Sequence, residues 1–190
     1  MPSLTLQKTI LALAIALSTP AMAQDSNPSS QQIIEALLPL DMHGQRIKGA
    51  RSTDALFDGA ASSRAIKVVD GVQVPTIDLR VAFNYDSDQL SNDAHLVLER
   101  LATAMSSPEL QSSGFRIIGH TDARGSDEYN DELSHRRAAA VVTWLASRGI
   151  DTARIEVGHR GKRELLTDIA GDDERNRRVE IQNTGAYTPG

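Results

Sequence analysis

The hydrophobic positions of the chain change twice from a period of two to a helical period. Apolar residues occupy alternate positions over residues 72–85, which is typical of a strand with one buried face. From Ser91 they recur at helical spacing until Pro108, so a helix capped by Ser91 is predicted. Pro75 is expected to mark the start of the strand or an edge position.

The second half of the chain repeats this order. A short buried strand is predicted at residues 115–118, then a polar turn, then a long amphipathic helix between the N-cap Ser126 and Gly149. Two short strands are predicted at 155–158 and 178–182, with a polar loop between them. Two β-α pairs followed by two strands predict an α+β fold, a sandwich with helices packed on one side of a small mixed sheet.

Residues 1–23 have the features of a secretory signal peptide: one positive charge, a short apolar run, and an Ala-x-Ala site before Gln24. The apolar run is too short to span a bilayer. The globular domain is predicted to cover residues 72–183, and residues 184–190 are expected to form a frayed tail.

Residues 24–71 are expected to form a flexible leader and connector, because they are polar, rich in small residues and without a sustained period. Ile33, Ile34, Leu37 and Leu38 interrupt this stretch at helical spacing and predict one short amphipathic helix. We expect this helix to pack on the domain. The alternative is that it is a docking site for another protein.

The composition excludes several classes of protein. A formal net charge of −5 argues against a nucleic-acid or anionic-membrane surface. The absence of cysteine excludes disulfides and a cysteine-linked lipid anchor, and the chain lacks the many alternating strands that a transmembrane barrel needs. We therefore expect a soluble exported protein, and nothing in the composition indicates a cofactor.

Two opposite charges flank the start of the long helix. Asp122 lies in the turn before the helix, and Arg137 lies at the edge of the apolar stripe, between Leu133 and Ala140. A partly desolvated arginine needs an anion. An aspartate that accepts an ammonium and an arginine that forks onto a carboxylate would together suit a ligand with an amino-acid centre.

The simpler interpretation of these charges stays open at this point. Asp122 would then cap the turn or the helix, as aspartates in turns commonly do. Arg137 would be a solvated helix residue or would pair with Glu128 or Asp131.

Several spaced motifs lie within the predicted domain: Gly119-His120-Thr121-Asp122, Gly125-Ser126, Tyr129-Asn130, Leu133-Ser134, Arg136-Arg137-Ala138 and Asn176-Arg177-Arg178-Val179-Glu180-Ile181. Through these motifs the chain resembles, over roughly residues 72 to 183, the OmpA C-terminal-like family, which includes peptidoglycan-associated lipoproteins and the periplasmic parts of flagellar motor stators.

The resemblance implies the same α+β fold and binding, without bond cleavage, of the diaminopimelate in peptidoglycan stem peptides. It also implies a periplasmic protein of a Gram-negative envelope, associated with the cell wall or outer membrane and with peptidoglycan as its partner. By position the resemblance assigns the ligand-binding aspartate and arginine to Asp122 and Arg137, and further peptidoglycan contacts to Asn130, Thr121, Arg177 and Asp86.

Two of these assignments have alternatives. Asp86 lies in a loop that is near the pocket in the family, but a solvated turn residue is the simpler interpretation. Arg177 and Arg178 are neighbours in a predicted strand, so only one of them reaches the pocket, and the family match favours Arg177.

An enzyme is the first alternative function, since zinc-dependent cell-wall hydrolases exist. His120, Asp122, His135 and His159 are candidate metal ligands, but their spacing contains no pair typical of a zinc site. The chain also has no cysteine nucleophile and no Gly-x-Ser-x-Gly motif. We therefore expect a non-catalytic protein in which His120 packs over or hydrogen-bonds beside the pocket.

The second alternative is a periplasmic adaptor that binds a protein of the envelope. Residues 33–70 are the part of the chain that would supply this contact. Wall binding would then be secondary.

Overall fold

The computed structural model describes residues 27–39, 64–69, 71–84 and 87–188. The predicted signal peptide and most of the connector lie outside these residues. The described residues form three α-helices and five strands: α1 Ser30–Leu37, β1 Arg64–Val69, β2 Val72–Leu79, α2 Asn92–Met105, β3 Ser113–His120, α3 Asp127–Ser147, β4 Ile155–Gly161 and β5 Val179–Ala186.

The five strands form one sheet in the order β1-β2-β5-β3-β4. Strands β3 and β4 are parallel and the other neighbours are antiparallel, so the sheet is mixed and the predicted α+β fold is confirmed. Among the described residues, no helix has the length and apolar character that crossing a membrane requires. Alternate residues of the three inner strands pack against the apolar faces of the helices: Ile77, Leu79, Phe115, Ile117, Val179 and Ile181.

The strands differ from the prediction at three places. The stretch expected to be a connector contains β1, a strand of only six residues. The strand predicted over residues 72–85 ends at Leu79, and Pro75 lies inside it, before the pairing with β5 begins at Thr76. The tail expected to fray after residue 183 continues β5 to Ala186, where it pairs with β3.

Helix α1 belongs to the core of the domain, as the sequence favoured. Ser29 and Gln32 form a capping box at its start, and Ile33 and Leu37 are fully buried against α2 and β2. The buried amide of Asn183 in β5 donates to the Leu37 carbonyl, which satisfies an acceptor at the end of the helix. The C-terminal end of this helix is therefore tied to the sheet.

The end of β3 lies directly against α3. A side chain at Gly119 would collide with the backbone of Ser134, so only glycine allows this approach. Ser126 caps α3 as predicted, and its hydroxyl accepts from the Tyr129 amide. The close approach of Gly119 to Ser134 brings the turn after β3 to the face of α3 that carries Arg137.

Candidate binding site

Asp122 lies in the turn after β3 and is only 8% exposed. One carboxylate oxygen accepts from the Arg124 backbone amide at 3.1 Å, which is the turn-capping role that the simpler interpretation predicted. The other oxygen accepts from the Arg177 guanidinium at 2.9 Å. An ionised carboxylate offers about four acceptor positions, so both oxygens retain the capacity for a further donor.

Asn130 and Thr121 shape the walls of this turn. The buried amide of Asn130 donates to the carbonyls of Arg124 (2.6 Å) and Ser126 (3.0 Å), so it holds the turn in place. The Thr121 backbone amide donates to the Gly161 carbonyl at 2.9 Å, and its buried hydroxyl has no hydrogen-bond partner among the described residues. Both residues therefore form hydrogen bonds that hold the Asp122 turn in its conformation.

Arg137 is 7% exposed although it carries a full charge. Its Nε donates to the Ser87 carbonyl at 3.2 Å, and its guanidinium carbon lies 4.9 Å from the centre of the Phe83 ring. The aromatic face and the carbonyl hold the planar group in one orientation. A guanidinium held in this way is well suited to forked recognition of a carboxylate.

A cavity of about 160 Å³ opens beside Arg137. Arg137 and Arg177 both line this cavity. Asp122 does not line it, but it pairs with Arg177 and so lies behind that residue. Two of the charged residues in the wall, Arg80 and Glu174, were not singled out from the sequence. The lining consists of Arg80, Val81, Ala82, Phe83, Arg137, Glu174 and Arg177.

Arg177 and Arg178 point in different directions, as predicted, although β5 begins only after them. Arg177 follows a short 3-10 turn at Glu174–Asn176 and reaches the cavity. Arg178 is buried, and its Nε lies 3.2 Å from the carboxylate of Asp78. Asp86, the last predicted contact, lies outside the described residues.

His120 does not lie beside the cavity, contrary to the expectation. Side chains of successive strand residues alternate, and Gly119 faces α3, so the His120 ring points to the opposite face of the sheet. There its Nε2 lies 3.1 Å from Glu180.

The four candidate metal ligands do not form one cluster. His135 and His159 contact each other edge to face, with ring centres 5.3 Å apart, and His159 bonds to Asp131. Within the described ranges, one group of three side chains has the spacing for a metal ion: His120, Glu164 and Glu180.

That group already surrounds a cation of the chain itself. The Lys67 ammonium lies 2.6 Å from Glu180 and 3.4 Å from Glu164. The donor set is therefore satisfied as an ion-pair cluster, and a metal ion would have to displace Lys67.

Comparison with known proteins gives a consistent result. A model of the OmpA family matches residues 82–178. Outer membrane protein A of Serratia marcescens is 35% identical over 107 residues, which cover 56% of this chain and 30% of that protein. The peptidoglycan-associated lipoprotein of Pseudomonas aeruginosa is 38% identical over 106 residues, which cover 53% of this chain and 59% of that protein.

A solved structure supports the fold. The OmpA-like domain of FopA1 from Francisella tularensis has a TM-score of 0.51 and 24% identity, and the match covers 60% of this chain and 77% of that one. The chain spans less than two thirds of the length of the two curated relatives.

Proposed function

Because the chain belongs to the OmpA family, we propose that it binds peptidoglycan without cleaving it, through the diaminopimelate of the stem peptides. The observation that carries the proposal is the buried Arg137 guanidinium, which is held by Phe83 beside a cavity that is also lined by Arg177, the ion-pair partner of Asp122. The name of the Pseudomonas aeruginosa relative, a peptidoglycan-associated lipoprotein, supports the same assignment.

Each charged group has one role. Arg137 receives the carboxylate of the ligand's amino-acid centre, since its planar group is already oriented and largely removed from water. Asp122 receives the ammonium on the acceptor positions that Arg124 and Arg177 leave open. Arg177 bridges the two ends of the site, because it contacts Asp122 and also lines the cavity beside Arg137.

The remaining predicted contacts act on the frame of the site. Asn130 fixes the backbone of the Asp122 turn, and Thr121 presents a buried hydroxyl next to it. No bond is broken in this account, and the protein acts as a tether in the periplasm, associated with the wall or the outer membrane. The signal-like composition of residues 1–23 supports export.

Co-sedimentation of residues 24–190 with diaminopimelate-type peptidoglycan tests the proposal. We expect the wild type to pellet and Arg137→Gln and Asp122→Asn to stay in the supernatant. Removing one partner of a desolvated charge pair costs about 2 to 5 kcal/mol, which is a loss of affinity of roughly 30-fold or more.

Two exposed residues provide matched controls for this experiment. Arg136→Gln removes a positive charge from the position of α3 just before Arg137, where the side chain is 41% exposed and pairs with Glu132. Asp172→Asn removes an exposed carboxylate that pairs with Arg124. Both controls should pellet like the wild type, and equal pelleting of all five proteins would contradict the proposed site.

The adaptor alternative has support from one surface. Three large apolar side chains of the β1–β2 hairpin are exposed: Ile66 at 47%, Val68 at 69% and Val72 at 63%. Helix α1 is unsuitable for this contact because its apolar face is buried in the core. If the wild type fails to pellet with peptidoglycan, the hairpin becomes the candidate contact with an envelope protein.

A further inference from the structure

We propose that the outer edge of β1 is an interface at which two copies of this chain associate. Strand β1 of one copy pairs with β1 of the other, antiparallel and in a register centred on Lys67. This inference goes beyond the proposed function, because it concerns the edge of the sheet and not the cavity.

Strand β1 is the outermost strand of the sheet. It pairs with β2 on one side, and within the described residues no strand lies on its other side. Ile66 pairs with Pro75, two positions from the core residue Ile77, so Ile66 and Val68 lie on the face of the sheet that carries the helices. Both side chains are exposed, to 47% and 69%. The edge therefore combines backbone groups that can pair with another chain and a row of exposed apolar side chains.

The lysine of β1 does not protect this edge. Proteins commonly keep edge strands from associating by placing a charged residue there, often a lysine. The ammonium of Lys67, however, lies 2.6 Å from Glu180 of β5 and 3.4 Å from Glu164. Strand β5 is the second strand in from β1, so the charge is drawn toward the middle of the sheet and is neutralised there. Lys67 therefore does not repel a second chain at the outer edge.

The pattern of β1 is complementary to itself in one register. A two-fold axis at Lys67 sets Ile66 of each copy opposite the partner's Val68. In the sequence, Arg64 and Asp70 stand three positions before and three positions after Lys67, so the same register aligns opposite charges at both ends. A register centred on Ile66 or on Val68 aligns a charged position with an apolar one. The partner that fits this edge is therefore a second copy of the chain.

The opposite edge of the sheet is less suited to association. Strand β4 contains two charged residues, Glu156 and Arg160, and its register with β3 shifts near its end. Charges and irregular pairing are two devices that keep edge strands apart. Its exposed apolar residue, Val157, directly follows Glu156. We therefore assign the interface to β1.

Pairing of two strands forms a small interface, so we expect a weak dimer whose population rises with concentration. The dimer has two copies of the cavity. Under the proposed function it contacts a polymer of repeated stem peptides at two points, which strengthens retention without a new contact at either cavity. Retention on the wall should therefore depend on β1, whereas the affinity for a single soluble ligand should not.

Sedimentation velocity of residues 24–190 at concentrations from about 1 µM to about 1 mM tests the interface. The wild type should shift from monomer to dimer across this range. Val68→Asp should remain a monomer, because it places a carboxylate opposite the partner's Ile66, and it should fold because the side chain is exposed. Leu96→Asp, at an apolar residue of α2 that is 62% exposed, is the matched control and should dimerise like the wild type.

Introduced cysteines test the register, since the chain has no cysteine of its own. Cβ atoms directly opposite each other in an antiparallel pair are about 4.5 to 5.5 Å apart, and diagonal ones about 7 to 8 Å. Ile66→Cys and Val68→Cys proteins are mixed under mild oxidation. The mixed disulfide dimer should form at least about tenfold faster than either homodimer, because only the mixed pair lies directly opposite.

The role on the wall is measured with the same variants. Val68→Asp should be retained on intact peptidoglycan at least about tenfold more weakly than the wild type, because it binds at one point. Its affinity for free diaminopimelate in titration calorimetry should stay within about twofold of the wild type. Leu96→Asp should match the wild type in both measurements.

The outcomes separate this inference from the proposed function. A wild type that stays monomeric, a Val68→Asp variant that dimerises equally well, or three crosslinks that form at equal rates would each overturn the β1 interface. The proposed function would stand in all three cases. Failure of the wild type to bind diaminopimelate would overturn the proposed function, and the dimer itself would stand. Equal retention of Val68→Asp and the wild type on the wall would overturn the two-point contact.

Discussion

His120 and Glu180 form a buried hydrogen-bonded pair on the face of the sheet that points away from the helices. Burial lowers the pKa of the His120 imidazole, and the hydrogen bond with Glu180 offsets only part of this effect. Burial alone would raise the pKa of Glu180, but hydrogen bonds from His120 and Lys67 outweigh it and hold this pKa at about 2. A neutral imidazole therefore donates its Nε2 hydrogen to an ionised carboxylate.

This pair predicts a loss of stability in mild acid. Below pH about 6.5 the unfolded chain protonates His120 more readily than the folded chain does, so the free energy of unfolding decreases as the pH falls, by up to about 1.4 kcal/mol per pH unit. His120→Gln cannot titrate and keeps an N–H donor for Glu180. Urea denaturation at pH 5, 6 and 7 should therefore show a flatter pH dependence for this variant than for the wild type.

The control for this measurement is His135→Gln, at an exposed position of α3. This variant should show the same pH dependence of the free energy of unfolding as the wild type.

The stabilising effect of Glu180 is complete above pH 4.5 and is lost only as the pH falls toward about 2, below the measured window. Burial raises the pKa of Asp78 in all three proteins, and this effect acts in the opposite direction. An unchanged slope in His120→Gln would show that His120 is not responsible.

The sequence singled out individual charged residues but not the contacts that they make. Asp122 and Arg137 stood out because a charged residue flanked or interrupted a strong helical pattern. The pairing of Asp122 with Arg177 joins residues 55 positions apart, and Phe83 was predicted only as part of a strand face. Periodicity carries no information about such distant contacts, because it reports only which face of an element is buried.

At the scale of elements, Arg154 joins the end of α2 to the start of β4. This buried arginine lies in the 3-10 turn Thr152–Arg154 and donates to the carbonyls of Met105 (2.7 Å), Leu110 (3.0 Å) and Gln111 (2.7 Å). The last carbonyls of a helix have no partner within the helix. Arg154 therefore satisfies acceptors that the fold buries.

Arg154→Met should destabilise the fold by about 3 kcal/mol, because it leaves buried carbonyls without a donor. Methionine retains an apolar stem to pack near Phe115, so the loss reports mainly the hydrogen bonds. Chemical denaturation measures the difference. Arg148→Met, at an arginine that is 47% exposed and pairs with Glu99, should cost less than about 1 kcal/mol. Equal losses in the two variants would contradict this role of Arg154.

The helices were more predictable than the strands. Ser91 and Ser126 cap α2 and α3 as predicted, since capping residues and long apolar stripes are strong local signals. Strand β1 was missed because it has only six residues. Its Lys67 pairs with Glu180, which lies 113 positions away and is not visible from a local pattern.

At the scale of the whole molecule, the residues outside the family match complete the domain. The match covers residues 82–178, whereas α1, β1, β2 and β5 lie outside that range. Helix α1 nevertheless packs into the common core, and Asn27 anchors Arg80 at the cavity. The alternation of strand and helix patterns predicted the α+β class, but which strands are neighbours depends on contacts between distant parts of the chain.

The two faces of the sheet separate the charged groups into two sets. The ion-pair cluster around Glu180 lies on the face away from the helices. In the second set, Arg137 and Arg177 line the cavity and Asp122 lies behind Arg177. The first set satisfies its charges within the chain, whereas the Asp122 carboxylate of the second retains acceptor capacity, which is why we assign ligand binding to the cavity.

The most direct test of this assignment is titration calorimetry of the wild type with meso-diaminopimelate and with pimelate, which keeps both carboxylates and lacks both ammonium groups. Diaminopimelate should bind at least about tenfold more tightly, because only it contacts Asp122 as well as Arg137. Asp122→Asn should lose this preference, and Arg137→Gln should bind neither ligand measurably. Equal affinity of the wild type for the two ligands would contradict recognition of an amino-acid centre by this site.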